Sequence, residues 1–180
     1  MINYSELFPP RFDAETVDFP GDGVFDYMFS DGVGGDFSCA VKVYPFGGSS
    51  WLGKFVAGKP LLNAVVSGLF ATPNSCQLCA VVKGTPFLVD VESPRGSEVL
   101  VAGGVLTNVF AAQEVGLLLL ATPWNISALS AEGKVWVSPR LAMEAISIRQ
   151  IERDRLWGTA DPDDEARDFV IDLTSGQQVS

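Results

Sequence analysis

Four segments of this 180-residue chain share one pattern at a nearly constant spacing. They are Val24-Phe-Asp-Tyr-Met-Phe29, Val65-Val-Ser-Gly-Leu-Phe70, Val105-Leu-Thr-Asn-Val-Phe110 and Ile146-Ser-Ile-Arg-Gln-Ile151. Each opens with Val or Ile and closes five residues later on Phe or Ile, and the starts recur every 40 or 41 residues. A period of that length marks a chain made of repeated supersecondary units, each too small to bury its apolar face alone.

The residues after each start correspond as well. A second strand is expected at Phe37–Val43, Gln77–Val82, Gly116–Ala121 and Arg155–Ala160, and a third at Trp51–Val56, Pro86–Val91, Ile126–Leu129 and Phe169–Leu173. Glu98–Val101 and Lys134–Val137 supply a fourth in two units. Lys83-Gly-Thr-Pro86, Ala131-Glu-Gly-Lys134, Pro45-Phe-Gly-Gly48 and Thr174-Ser-Gly176 place Gly or Pro where a strand must reverse. Short β-branched runs punctuated in this way predict an all-β chain. Helical periodicity is weak throughout, with at most one turn at Pro139–Ala145.

Units of about forty residues with three or four strands have the size of a propeller blade. The expected fold is therefore a single all-β domain over 1–180, an array of about four propeller-like repeats starting near 24, 65, 105 and 146. A β-sandwich or barrel built from similar hairpins is the alternative. Residues 1–23 form an N-terminal arm in either case. An open array leaves sheet edges that must be covered, which makes a homodimer an expected partner arrangement.

The C-terminal half resembles a set of uncharacterised bacterial β-repeat, propeller-like proteins of unknown function. The resemblance lies in Ala128-Leu-Ser-Ala-Glu-Gly-Lys-Val-Trp-Val-Ser-Pro-Arg140 and in Asp168-Phe-Val-Ile-Asp-Leu-Thr-Ser-Gly176. It implies the fold and brings no activity with it.

Composition excludes more functions than it suggests. The 12 basic and 22 acidic residues give a net charge of −10, which repels nucleic-acid phosphates and anionic membranes. Histidine is absent, which removes Ser–His and Cys–His nucleophiles and all imidazole metal sites. Three cysteines and no basic, apolar leader at the N-terminus point to a reducing cytoplasm. Val115–Thr122 is apolar but too short to cross a bilayer. No phosphate loop occurs, since Gly32-Val-Gly-Gly35 lacks the required spacing.

What remains is a short set of candidate groups. Cys76-Gln-Leu-Cys79 is a lone CxxC, and Cys39 and Cys79 fall at matching repeat positions, as small core residues would. Asp161-Pro-Asp-Asp-Glu165 is the densest carboxylate run. Asp22, Asp26, Asp31 and Asp36, interleaved with glycines, form a looser one, and neither has EF-hand spacing. Asp90, Glu92, Asp161, Asp163 and Asp172 could supply the carboxylate pair of a hydrolase acting on a sugar or small polar substrate. Trp124 and Trp157 stand near strand ends, where loop-borne aromatics anchor partners, while Trp136, alternating with Val135 and Val137, is expected to pack between sheets. Late arginines, Arg140 to Arg167, are expected to pair with neighbouring acids.

These features favour a non-enzymatic protein-interaction module, acidic enough to neutralise a basic partner as immunity proteins neutralise toxins. The carboxylate-dependent hydrolase is the alternative. Trp124, Trp157, Asp161, Asp163 and Asp164 are the expected residues for a protein partner or small polar ligand. No catalytic residue is assigned, and no metal or cofactor is expected.

Overall fold

The structure, a computed structural model, describes residues 4–96, 98–99 and 104–179. In chain order the strands are β1 (Tyr4–Ser5), β2 (Phe12–Val17), β3 (Tyr27–Ser30), β4 (Phe37–Pro45), β5 (Trp51–Ala57), β6 (Gly68–Ala71), β7 (Gln77–Val82) and β8 (Thr85–Asp90). They continue as β9 (Glu98–Val99), β10 (Asn108–Ala112), β11 (Leu117–Ala121), β12 (Ile126–Ser130), β13 (Gly133–Val137), β14 (Ile146–Glu152), β15 (Arg155–Ala160) and β16 (Arg167–Asp172). Two single 3-10 turns, Pro94–Gly96 and Gln113–Val115, are the only helical elements among the described residues. The chain is all-β, in four small sheets, none closed into a barrel.

The chain divides into two compact units, Met1–Val101 and Ala102–Ser180. The first holds a sheet of order β2-β4-β5-β3 and one of order β1-β6-β7-β8-β9. The second holds β10-β11-β12-β13 and β14-β15-β16. The expected first, second and third strands of each forty-residue segment all overlap observed strands, one segment to a sheet, although three of the first strands begin three residues late, at Tyr27, Gly68 and Asn108. Of the expected fourth strands, Lys134–Val137 lies in β13 and Glu98–Val99 is β9, while residues 100 and 101 lie outside the described residues.

The first segment departs from the others. β6, β10 and β14 run antiparallel to the second strand of their sheet. β3 instead crosses to the far edge and pairs in parallel with β5, while β2, from the N-terminal arm, takes the place beside β4. The arm thus serves both sheets of its unit, because β1 lies parallel to β6.

Each unit packs its two sheets around one apolar cluster. β5 shows why, since Trp51, Gly53, Phe55 and Ala57 are buried and the residues between them are half exposed, the period of a one-sided strand. Phe55 stacks on Phe29 at 4.6 Å within its sheet and meets Phe87 of the other edge-on at 5.6 Å. Such ring pairs add about 1 kcal/mol beyond the burial itself. In the second unit Leu119, Ile126 and Trp136 face Leu156, Phe169 and Ile171. Trp136 is buried while Val135 and Val137 are exposed, as their alternation predicts. Gly158 is required there, because a Cβ at that position would lie 2.4 Å from the Phe169 ring and 2.8 Å from the Ser147 carbonyl.

Cys39 and Cys79 are not equivalent. Cys39 packs with Val41 and Val43 against the cluster, whereas on β7 it is Leu78, Ala80 and Val82 that do so, and Cys79 is buried on the opposite face. Their match at an interval of 40 is therefore out of phase with the pleat, where a shift of one residue exchanges faces.

One tie recurs in both units. The Trp51 indole N–H donates to the Val91 carbonyl at 2.9 Å, and that of Trp136 donates to the Leu173 carbonyl at 2.8 Å. In each case a tryptophan of one sheet holds the residue just past the third strand of the other. Replacing either indole by Phe keeps most of the apolar volume and leaves a buried carbonyl unpaired. Trp51→Phe and Trp136→Phe are each expected to cost about 1–3 kcal/mol, read as a lower urea midpoint at unchanged slope.

Candidate functional site

The turns that follow β8 and β16 are built alike. Val91 N–H donates to the Cys76 carbonyl and Leu173 N–H to that of Asp154. The preceding aspartate caps the turn: Asp90 Oδ1 accepts from the amides of Glu92 and Ser93, and Asp172 Oδ1 from those of Thr174 and Ser175. Asp172 also accepts the Thr174 hydroxyl and pairs with Arg155 at 2.7 Å. Led by the Thr174 hydroxyl, these donors hold its carboxyl down at about 2.

In the first unit this turn borders a groove of about 400 Å³. Its walls are Asp26 and Tyr27 at the start of β3, Pro45 with the Gly47–Ser50 stretch of the β4–β5 loop, Trp51, and Val91, Glu92 and Pro94 of the turn after β8. The Trp51–Val91 tie brings the walls together, and Tyr27 stands edge-on to Trp51 at 5.5 Å. Asp26 and Leu52 exchange two hydrogen bonds: the Leu52 amide donates to Asp26 Oδ2 at 2.7 Å, and the Asp26 amide to the Leu52 carbonyl at 2.9 Å. Glu92 leans across the groove, its Oε1 3.7 Å from Cys76 Sγ and 4.0 Å from where a Cβ on Gly47 would lie. Two carboxylates, serine hydroxyls and an aromatic wall line the cleft, with no lysine or arginine among the described residues. This chemistry accepts hydrogen bonds and attracts cations.

The five residues expected to meet a partner or ligand, Trp124, Trp157, Asp161, Asp163 and Asp164, lie in the second unit. Trp124 sits in the β11–β12 turn with the Arg140 guanidinium 5.8 Å over its ring, so Arg140 meets an aromatic face and the Ala142 and Met143 carbonyls rather than an acid. Trp157 is half-buried on β15, between Val170 and Gln150 in register. Asp163 and Asp164 are exposed in the β15–β16 loop.

Asp161 is already committed inside the protein. It occupies the left-handed region (φ 49°), and its carboxylate accepts from the amides of Met143, Glu144 and Ala145 and from Arg167 at 3.0 Å. Residues 139–145, where a helical turn was expected, are thus an irregular loop fastened to this carboxylate. The Glu144 amide is the largest influence, and together these donors lower its pKa to about 2 despite burial. Arg149–Asp168 and Arg155–Asp172 are paired as expected. Among the described residues no group of three or more acids and cysteines is arranged to hold a metal ion.

The CxxC spans a turn and a strand. Cys76 precedes β7, and Cys79 is buried, its thiol pushed up to about 12 by loss of solvation. Cys39 is raised to about 11 by the same cause. Neither has the lowered pKa of a reactive thiolate.

Of the groove residues, the sequence marks Asp26 as part of a loose acidic run, Glu92 as a candidate hydrolase carboxylate and Trp51 as the start of an expected third strand. Sequence reasoning missed Tyr27, Ser49 and Ser50. Nothing in a linear pattern announces that the β4–β5 loop and the turn after β8 meet.

The lowered carboxyls of Asp161 and Asp172 set an acid limit on stability. Their folded pKa values lie near 2, below the ordinary 3.8, so their contribution is complete above about pH 4 and is lost as pH falls from 4 toward 2. Thermal unfolding of the native protein should lose stability steeply across that window. Asp161→Asn should be less stable at pH 7 and show a shallower loss on acidification.

No protein-family model matches the chain, and no curated protein matches it significantly.

Proposed function

We propose that this protein is a non-catalytic binding module that takes up a basic protein partner through the groove of its first unit, much as an immunity protein masks a toxin. The observation that carries this reading is the lining itself: Asp26 and Glu92 face a cleft walled by Tyr27 and Trp51 and free of basic side chains. A net charge of −10 acts over a longer range and steers a basic partner toward the surface. The scaffold belongs to the same reading. One sheet for each forty-residue segment supports a chain of four propeller-like repeats, whose loops are free to vary while the strands hold them.

The hydrolase reading is weaker because its carboxylates are engaged in holding turns. Asp90, Asp161 and Asp172 each accept from two or more backbone amides, and Asp163 lies on an exposed loop. Only Glu92 of that set faces the groove.

The test compares two changes of equal charge, with labelled deca-lysine as the probe. Glu92→Gln removes a groove carboxylate that, among the described residues, caps no turn, and Asp163→Asn removes an exposed one in the other unit. Fluorescence anisotropy at low salt should show Glu92→Gln weakening the peptide about tenfold, and Asp163→Asn leaving it within about twofold. Equal losses in the two variants would reduce the binding to general charge and overturn the assignment of the groove.

A further inference from the structure

We infer that the partner docks as an extended basic segment added to the open edge of β3. This rests on the basic-partner reading above and supplies its mode of attachment. β3 ends its sheet, with β5 on one side and, among the described residues, no strand on the other. Asp31 continues the ladder by donating to the Val56 carbonyl. Because a parallel strand bonds to each neighbour through alternate residues, Tyr27 and Phe29 serve β5, and the amides and carbonyls of Met28 and Ser30 point off the edge.

Proteins usually blunt such an edge with lysine, proline, a bulge or a covering loop. β3, Tyr27-Met-Phe-Ser30, carries no lysine or proline, and its pairing with β5 is regular. The surface beside it is apolar and open: Met28 is 72% exposed, Val24 65% and Val33 74%. Acids flank it on both sides. Asp22 caps the amide of Val24, Asp26 holds Leu52, and Asp31 holds Val33 and Gly58. These carboxylates are fixed at the two ends of the strand.

The charge selects the occupant. A second copy of this chain would bring the same aspartates and a net charge of −10 against −10. A strand alternating apolar and cationic residues meets Met28 and Val24 with one set and the flanking aspartates with the other. Lys54, beside Met28 in register, is turned onto the Phe19 and Phe25 rings at 5.7 and 5.9 Å. Asp26 and Tyr27 belong to both surfaces, so a strand on β3 begins at the mouth of the groove. Main-chain bonds then give attachment and the groove gives selectivity, the division found in strand-addition recognition.

The experiment uses a decapeptide of alternating Lys and Val, and the same peptide N-methylated at alternate residues so that one edge cannot donate. With the unaltered protein, the plain peptide should slow amide exchange of Met28 and Ser30 about tenfold, and N-methylation of the bonding edge should weaken binding about tenfold. Met28→Pro removes an outward-facing donor at a position where an edge strand tolerates proline, and with an unchanged unfolding midpoint it should weaken the plain peptide similarly. Strand addition is overturned if both N-methylated registers bind within about twofold of the plain peptide, or if protection appears away from β3. Salt-sensitive binding that Glu92→Gln weakens but N-methylation does not would retain the groove and reject the edge. Absence of salt-sensitive binding would reject both.

Discussion

The bond from a tryptophan indole to a backbone carbonyl of the facing sheet is the constraint on which each unit depends. Two sheets packed only by apolar contact can slide, because hydrophobic attraction has no direction. A buried N–H donor and a carbonyl at 2.8–2.9 Å do have one, and leaving either unpaired is costly. Trp51 and Trp136 therefore set the spacing and the offset of the sheets as well as filling the space between them. The carbonyls they hold belong to Val91 and Leu173, each anchored in turn by its own amide and by a capping aspartate one residue earlier.

Because the two units share this device, the places where they differ are informative. The residue after the held carbonyl is Thr174 in one unit and Glu92 in the other. Thr174 folds back onto its capping aspartate and completes the turn. Glu92 makes no such bond to Asp90 through its side chain and extends over the groove toward Cys76 and Gly47. The turn closes either way, so fold requirements do not explain a carboxylate at 92. Gly176 extends the contrast: at φ 71° it lies against the Trp136 indole, where any Cβ would come within 2.5 Å. Its unit keeps the turn closely packed on the tryptophan.

The strands were legible in the sequence because both signals that mark them are local. β-branched and apolar runs such as Gln77–Val82 are bounded by Gly and Pro turns, and the forty-residue spacing reinforced each assignment with three others. The crossing of β3 to the far edge was not legible, since Val24–Phe29 has the same residues whether it pairs with β4 or with β5. The Cys39–Cys79 match failed for a related reason. Identity of residue type at a fixed interval says nothing of face, and an interval of 40 happened to join opposite faces of two strands. Asp161 misled in another way. A carboxylate in an Asp-Pro-Asp-Asp run looks solvated or ligand-binding, and only the return of residues 143–145 from a distant part of the chain supplies the amides that engage it.

The net charge of −10 is therefore not a uniform property of the surface. Asp90, Asp161 and Asp172 spend their oxygens on backbone amides, and Asp161 and Asp172 are further neutralised by arginines, so they contribute little to the field a partner meets. Asp26 lies between the two classes: one oxygen holds the β5 amide, which ties the orientation of its carboxylate to the position of β3. Among the described residues, Glu92 holds no backbone amide through its side chain. The same groove thus contains one carboxylate positioned by the fold and one that can adjust to a ligand. On the proposed reading, that pairing would hold a partner with both a fixed direction and some tolerance, and it places the fixed member where the exposed edge of β3 begins.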